Sequence, residues 1–275
     1  MEINHILVPI DFSESSKNAL QAAVRIAKKS NAKITLVNAV HVHTPLPHLK
    51  GGSLIEAVVS DYEHQVQEAF HDLETEMVEL NDVPHELDRF VAYLTDAIYS
   101  ETESRDIDLI VMGTRAEHSI GETILGSNAA EVIRVSSVPV IVIPERYHSF
   151  HPHRIGFASD FLRYRDSGQF SILIALCKLF DSEVMVFHIG ANISEEEQKQ
   201  IDLIKDDLKG IKRVSIRVVD AESVVAGIKK FSKAHELSML ALMPRKHNLF
   251  ERLFVGSVTK EVAIDIDIPL LTFQE

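Results

Sequence analysis

Cysteine is nearly absent from this chain. The single residue, Cys177, excludes an internal disulfide framework and any zinc site built on several cysteines. Glycine and proline, at 11 and 9, are too few for a collagen-like or low-complexity polymer. Apolar residues are too many for a disordered one, at 45%. No apolar run nears the ~20 residues that span a bilayer. The opening Met1-Glu2-Ile3-Asn4-His5 has neither a basic segment nor a long apolar one, so no secretory signal is expected. A reducing cytoplasm is the expected compartment. Basic surplus is also missing. Lys and Arg number 28 against 41 Asp and Glu, a net charge of −13. Such a chain is a poor general binder of nucleic acid, although one local basic patch can still hold an anion. At 275 residues the length suggests about two domains.

Along the chain, short apolar strands alternate with amphipathic helices. Ile6–Ile10 reads as a strand buried on both faces. Ser13 is a good N-cap for a helix running to Lys28-Lys29 and ending near Asn31. Ile34–Val40 is a second strand. Ile55, Val59, Tyr62, Val66, Phe70, Leu73, Met77 and Leu80 keep helical spacing and are mostly core. A strand near Leu87–Val91, a helix over Thr95–Ser104, a strand at Leu109–Met112, a loop from Gly113, a helix from Ser127 and a strand at Val140–Ile143 complete the first half. Alternation of this kind predicts parallel sheets with right-handed crossovers.

The pattern then repeats. Ile6-Leu7-Val8-Pro9-Ile10-Asp11-Phe12 returns as Ile155-Gly156-Phe157-Ala158-Ser159-Asp160-Phe161. Leu125-Gly126-Ser127 returns as Val255-Gly256-Ser257, and Val138-Pro139-Val140 as Ile268-Pro269-Leu270. This is a tandem duplication with a shortened second copy, expected as domains over 1–146 and 152–275 with a His-rich linker between them.

Several nucleotide and hydrolase motifs are missing. No G-x-G-x-x-G follows the first strand, no G-x-S-x-G elbow and no H-E-x-x-H occurs, and Ser127 stands where a P-loop would have lysine. No catalytic residue is assigned. What is present is Gly113-Thr114-Arg115-Ala116, nine residues, then Gly126-Ser127-Asn128. Gly113 follows a strand, where backbone can come close to a ligand. Gly126-Ser127 open a helix, whose free amides favour an anion. Arg115 adds a planar donor fork. Asp11 ends the first strand on the carboxyl edge, where open α/β sheets bind ligands; it also has the chemistry of a helix cap. The histidines of the 41–48 loop and of the linker read as solvated, not as a metal site. Cys177, among Ile172–Leu176, reads as a buried structural thiol.

At these residues the chain resembles the universal stress protein family in its tandem form, whose nucleotide-binding members carry G-x2-G-x9-G-[ST] after the fourth strand and an Asp after the first. The resemblance implies Rossmann-like domains of the adenine nucleotide alpha-hydrolase-like kind. Each would hold a five-stranded parallel sheet of order 3-2-1-4-5, with the last strands pairing across the halves as an internal pseudo-dimer. It implies ATP, with or without Mg, in the first half: Asp11 facing the ribose, Ala39 near the adenine, and Gly113, Arg115, Gly126, Ser127 and Asn128 along the phosphates. Ala116 departs from the motif's second glycine. In the second half Met243-Pro244-Arg245 replaces the early glycines, and no ordinary ATP site is expected there. Three readings stay open: a nucleotide-sensing stress-response protein with protein partners or a homodimer, a slow ATP hydrolase, and an interaction module that kept the fold without the ligand.

Overall fold

A computed structural model describes residues 2–41, 52–114, 126–161, 168, 170–190, 193–243 and 267–273. The first half runs β1 (His5–Pro9), α1 (Glu14–Ser30), β2 (Lys33–Ala39), α2 (Gly52–Glu76), β3 (His85–Phe90), α3 (Leu94–Ser104), β4 (Leu109–Thr114), α4 (Ser127–Val135) and β5 (Val140–Pro144). The second runs β6 (Arg154–Ala158), α5 (Ser171–Phe180), β7 (Glu183–Ile189), α6 (Glu195–Asp207), β8 (Val214–Val219), α7 (Val224–Ala234), β9 (Met239–Leu242) and β10 (Leu270–Thr272).

The ten strands form one sheet, in the order β3-β2-β1-β4-β5-β10-β9-β6-β7-β8. Within each half the pairing is parallel, and the first half has the expected 3-2-1-4-5 order. β10 joins β5 antiparallel through Leu270–Val142, Leu271–Ile141 and Thr272–Val140. This is the cross-half pairing that makes the two copies one sheet. The inner strands are apolar almost without interruption because helices cover both faces, whereas the edge strands β3 and β8 carry polar and charged residues and are partly exposed. On one face β1 contributes Ile6 and Val8, packed with α1, α5 and α6; on the other Leu7 and Val37 meet α3, α4 and α7.

Duplication shows in the backbone. Phe12 and Phe161, just past β1 and β6, are left-handed with φ of 61° and 53°. Asn31 and Asp181 end α1 and α5 with φ of 59° and 51°, each donating its amide to the carbonyl four residues back. A left-handed non-glycine residue costs energy that only surrounding structure can hold in place. Finding it at matching places in both copies marks these turns as parts of the repeated unit. The linker is pinned from both sides: Asn18 Nδ2 donates to the carbonyls of Pro144 (3.1 Å) and Tyr147 (2.7 Å), and Tyr147 Oη donates to Ser238 O (3.2 Å).

The helical stripe holds where it is described. Val66, Phe70, Leu73 and Leu80 are buried, but α2 ends at Glu76 and a 3-10 turn, Val78–Asp82, carries Leu80. The side chain of Ile55 lies outside the described residues. Cys177 is buried, and loss of solvation pushes its thiol up to about 12. We expect it to resist a thiol reagent such as DTNB in the folded protein and to react at once in denaturant; equal rates in both states would contradict its burial.

Candidate functional site

The carboxyl ends of β1 and β4 splay around a cavity of about 320 Å³, lined by Asp11, Ser16, Ala39, Met112, Gly113 and the 126–129 segment, among others. Its floor is set by local chemistry at the start of α1. Ser13 caps that helix, accepting from the Ser16 amide, as expected. Asp11 accepts from the Ser13 amide at 3.1 Å and from the Ser13 hydroxyl, and its own amide donates to Ser16 Oγ at 3.3 Å. Asp11 therefore closes an Asx turn that orders the helix start, while its side chain remains exposed at the cavity rim.

Behind this floor lies a polar strut that the pattern reading missed. Asn38 Nδ2 donates to Ile10 O at 2.6 Å, and Tyr62 Oη, from α2, donates to Asn38 Oδ1 at 2.5 Å. The strut ties the end of β1 to β2 and fixes where Asp11 leaves the sheet. Its sequence signal was a lone amide inside an apolar strand. In the second half His188 takes the same register: its Nδ1 lies 3.1 Å from Ser159 O and its ring stacks on Phe161 at 5.3 Å.

β4 runs two residues past the expected strand end, so Gly113 and Thr114 sit in the sheet, paired with Ile143 and Pro144 of β5. Gly113 faces α1 closely. A Cβ there would lie 2.2 Å from Ser15 O and 2.6 Å from its carbonyl carbon. Thr114, also missed, accepts from the Gly126 amide at 2.8 Å and so fixes the point where the chain returns to open α4. Gly126 has φ −58° and, as a glycine, brings no side chain of its own to cap α4. The Ala130 amide is the first to reach back into the helix, to Gly126 O at 3.0 Å. Among the described residues no side chain accepts from the amides of Ser127, Asn128 and Ala129 at the cavity wall, the arrangement that attracts an anion. Val37, Ala39, Leu94 and Met112 supply an apolar wall. Beyond Leu94 a second hollow of about 270 Å³ holds Tyr93, Thr95 and Glu131, with the Tyr93 ring stacked on His41 at 3.8 Å.

The structure therefore brings Asp11, Ala39, Gly113, Gly126, Ser127 and Asn128 to one cavity. Arg115 and Ala116 lie outside the described residues, as do Arg245, Gly256 and Ser257 of the second copy. Among the described residues no three His, Cys, Asp or Glu side chains gather as a metal site, and no helix is long and apolar enough to cross a membrane.

Comparison with known proteins agrees with this architecture. The model of the universal stress protein family matches residues 2–144 and 170–274, one match per copy. Universal stress protein A homolog 1 of Coxiella burnetii is 27% identical over 144 residues, which is 52% of this chain and 97% of that protein. Universal stress protein A of Escherichia coli K12 is 29% identical over 147 residues, 53% of this chain and 97% of its own. The crystal structure of a universal stress protein from Archaeoglobus fulgidus superposes with a TM-score of 0.75 at 16% identity, covering 100% of this chain and 99% of the other. At that identity the likeness speaks to the fold.

Proposed function

The chain belongs to the universal stress protein family, and from that premise we propose that its first half binds ATP or another adenine nucleotide and that the protein acts as a nucleotide-sensing regulator or interaction module. The observation that carries this reading is the α4 N-terminus. Three backbone amides, with no side-chain acceptor among the described residues, face a cavity whose opposite rim holds the Asp11 carboxylate and whose wall is apolar. The donor set fits a nucleotide. Helix-start amides and the Ser127 hydroxyl suit phosphate oxygens, a carboxylate suits ribose hydroxyls, and the wall of Val37, Ala39, Leu94 and Met112 suits a base. Bound nucleotide would supply charge beside Thr114 and Gly126, the described residues that flank the 115–125 segment, and the sequence places Arg115 next to Thr114. Occupancy then becomes a signal that partner proteins read from that segment. No group of this chain is assigned a bond-breaking role.

The test is mass spectrometry of ligands released from fresh protein, then ATP titration calorimetry with and without Mg. We expect adenine nucleotide at about one per chain, since the second copy has Met243-Pro244-Arg245 in place of the early glycines. Gly126→Glu should weaken ATP at least about 30-fold, since its carboxylate sets a like charge at the helix start and takes one or two charge-assisted hydrogen bonds from the phosphates. The backbone at 126 suits any L residue, so the variant should keep its melting temperature within a few degrees. Absence of nucleotide, with no heat at millimolar ATP, would overturn the proposal in favour of the ligand-free module.

A further inference from the structure

At the opposite edge of the sheet, the amino ends of the strands, the two copies diverge. In the first copy a corner is closed by ions. Arg105, just past α3, meets Glu86 at 2.6 Å, Asp88 at 2.8 Å and Glu101 at 3.2 Å. Its Nη1 also donates to Thr35 Oγ1 at 3.0 Å, and His5 Nε2 lies 2.8 Å from the same hydroxyl. Three carboxylates therefore surround one guanidinium.

Strand register identifies the same corner in the second copy. His5 pairs with Lys33 as Arg154 pairs with Glu183. Thr35 pairs with Glu86 and Val37 with Asp88, as Met185 pairs with Ser215 and Phe187 with Arg217. Arg105 and His235 each follow their helix and donate their amides to Glu101 O and Phe231 O. So Glu86, Asp88 and Glu101 become Ser215, Arg217 and Phe231, and the central arginine becomes histidine. The plug is gone, and a cavity of about 540 Å³ stands in its place. Four cations line it, Arg154, Lys212, Arg213 and Arg217, against two carboxylates, Glu183 and Glu236.

Part of that charge is spoken for. Arg154 is paired with Glu183, and Lys212 reaches Asp181 at 2.7 Å. Arg213 Nη2 donates to the Asp181 carbonyl at 3.0 Å but meets carboxylates only at longer range, Glu183 at 3.9 Å and Asp181 at 4.0 Å. Arg217 has no carboxylate partner among the described residues and donates to its neighbour's carbonyl, Ile216 O. A basic cavity in a chain of net charge −13 is a local exception that the rest of the surface does not favour. Arginine forks at its rim match the geometry of phosphate oxygens.

We propose that this corner of the second copy is a binding site for a compact polyanion bearing phosphate groups, distinct from the carboxyl-edge cavity of the first copy and independent of what binds there. The second copy would then have exchanged one anion site for another at the opposite sheet edge.

The test uses the full chain, labelled with ¹⁵N and titrated with inorganic pyrophosphate. Saturable shifts are expected at the amides of Met185, Ser215 and Arg217, weakening as salt rises. Restoring the first copy's chemistry with Ser215→Glu and Arg217→Asp should weaken binding at least about tenfold, through loss of charge-assisted contacts. The spectrum away from the corner reports whether that variant is folded; Lys212→Ala with Arg213→Ala, both exposed, serves as a second variant and should also weaken binding. No shift at the corner in low-millimolar pyrophosphate would overturn the proposal. So would shifts that persist undiminished in both variants, or that centre only on Ser127–Ala129.

Discussion

Gly113→Ala is expected to lose about 3 kcal/mol of stability, while Gly126→Ala loses less than about 1. The two glycines belong to one motif, yet they meet different surroundings. At Gly113 the added methyl would lie 2.2 Å from the carbonyl oxygen of Ser15 and 2.6 Å from its carbon. Both atoms are backbone, in the first turn of α1, so no side-chain rotation relieves the overlap. β4 is held by β1 and β5, so the strain falls on the start of α1. That turn carries the Asx closure from Asp11 and the cap from Ser13, and shifting it would carry Asp11 away from the cavity. At Gly126 the methyl would meet, among the described residues, only Thr114 Oγ1, at 3.1 Å. A hydroxyl can give by a few tenths of an ångström, and φ of −58° suits any L residue. The shift in the urea midpoint at unchanged slope measures both effects. Equal losses at the two positions would show that Gly113 is not packed against α1 as described.

This contrast shows what the sequence could and could not reveal. Motif spacing placed Gly113 and Gly126 near one another and near Asp11, and the sheet order brings all three to one cavity. It did not separate a glycine that lets a helix approach a strand from one that opens a helix, because that difference depends on contacts made across the fold. Strand and helix periodicity located most elements of the first half within two residues. β4 ran longer than read because Gly113 and Thr114 keep ladder partners in Ile143 and Pro144, which local propensity does not encode. The hydrogen-bonding roles of Thr114, Asn38 and Tyr62 were not legible for a related reason. Each acts through a long-range hydrogen bond, and a single polar residue in an apolar run reads the same whether it holds a carbonyl or faces solvent. The repeat itself was legible, since Asp-Phe after a strand recurs in both halves. The loss of the ion plug in the second copy was not, because Glu86, Asp88 and Glu101 sit on two elements and converge only through β3 and α3.

That plug makes a second large prediction. Arg105→Ala should cost about 2 kcal/mol near pH 8, less than the loss of a partner in a fully buried pair because Arg105, Glu86 and Asp88 are partly exposed and only Glu101 is buried. The cost should shrink on acidification. Burial of the Glu101 carboxyl, only 5% exposed, pushes its pKa above the ordinary carboxylate value, while the Arg105 charge pulls it back down. Its Oε2 and Asp88 Oδ2 face the guanidinium without hydrogen-bond alignment, so attraction of charge carries the contact. A carboxyl with a raised pKa in the folded state binds its proton more tightly there than in the unfolded chain. Its contribution to stability is therefore fullest below the unfolded pKa and is lost as pH rises through the folded one. Removing Arg105 raises that folded pKa further, so the variant loses more on going from acid to neutral pH than the parent does. Urea titrations at pH values on both sides of the ordinary glutamate pKa measure the difference. Glu101→Gln placed on Arg105→Ala should recover part of the loss near pH 8 and flatten the profile, because the buried charge is then gone. A deficit independent of pH would mean that Arg105 supports the corner through the packing of its aliphatic stem. In that case the charge inversion seen at Arg217 in the second copy would have removed a steric plug and not an electrostatic one.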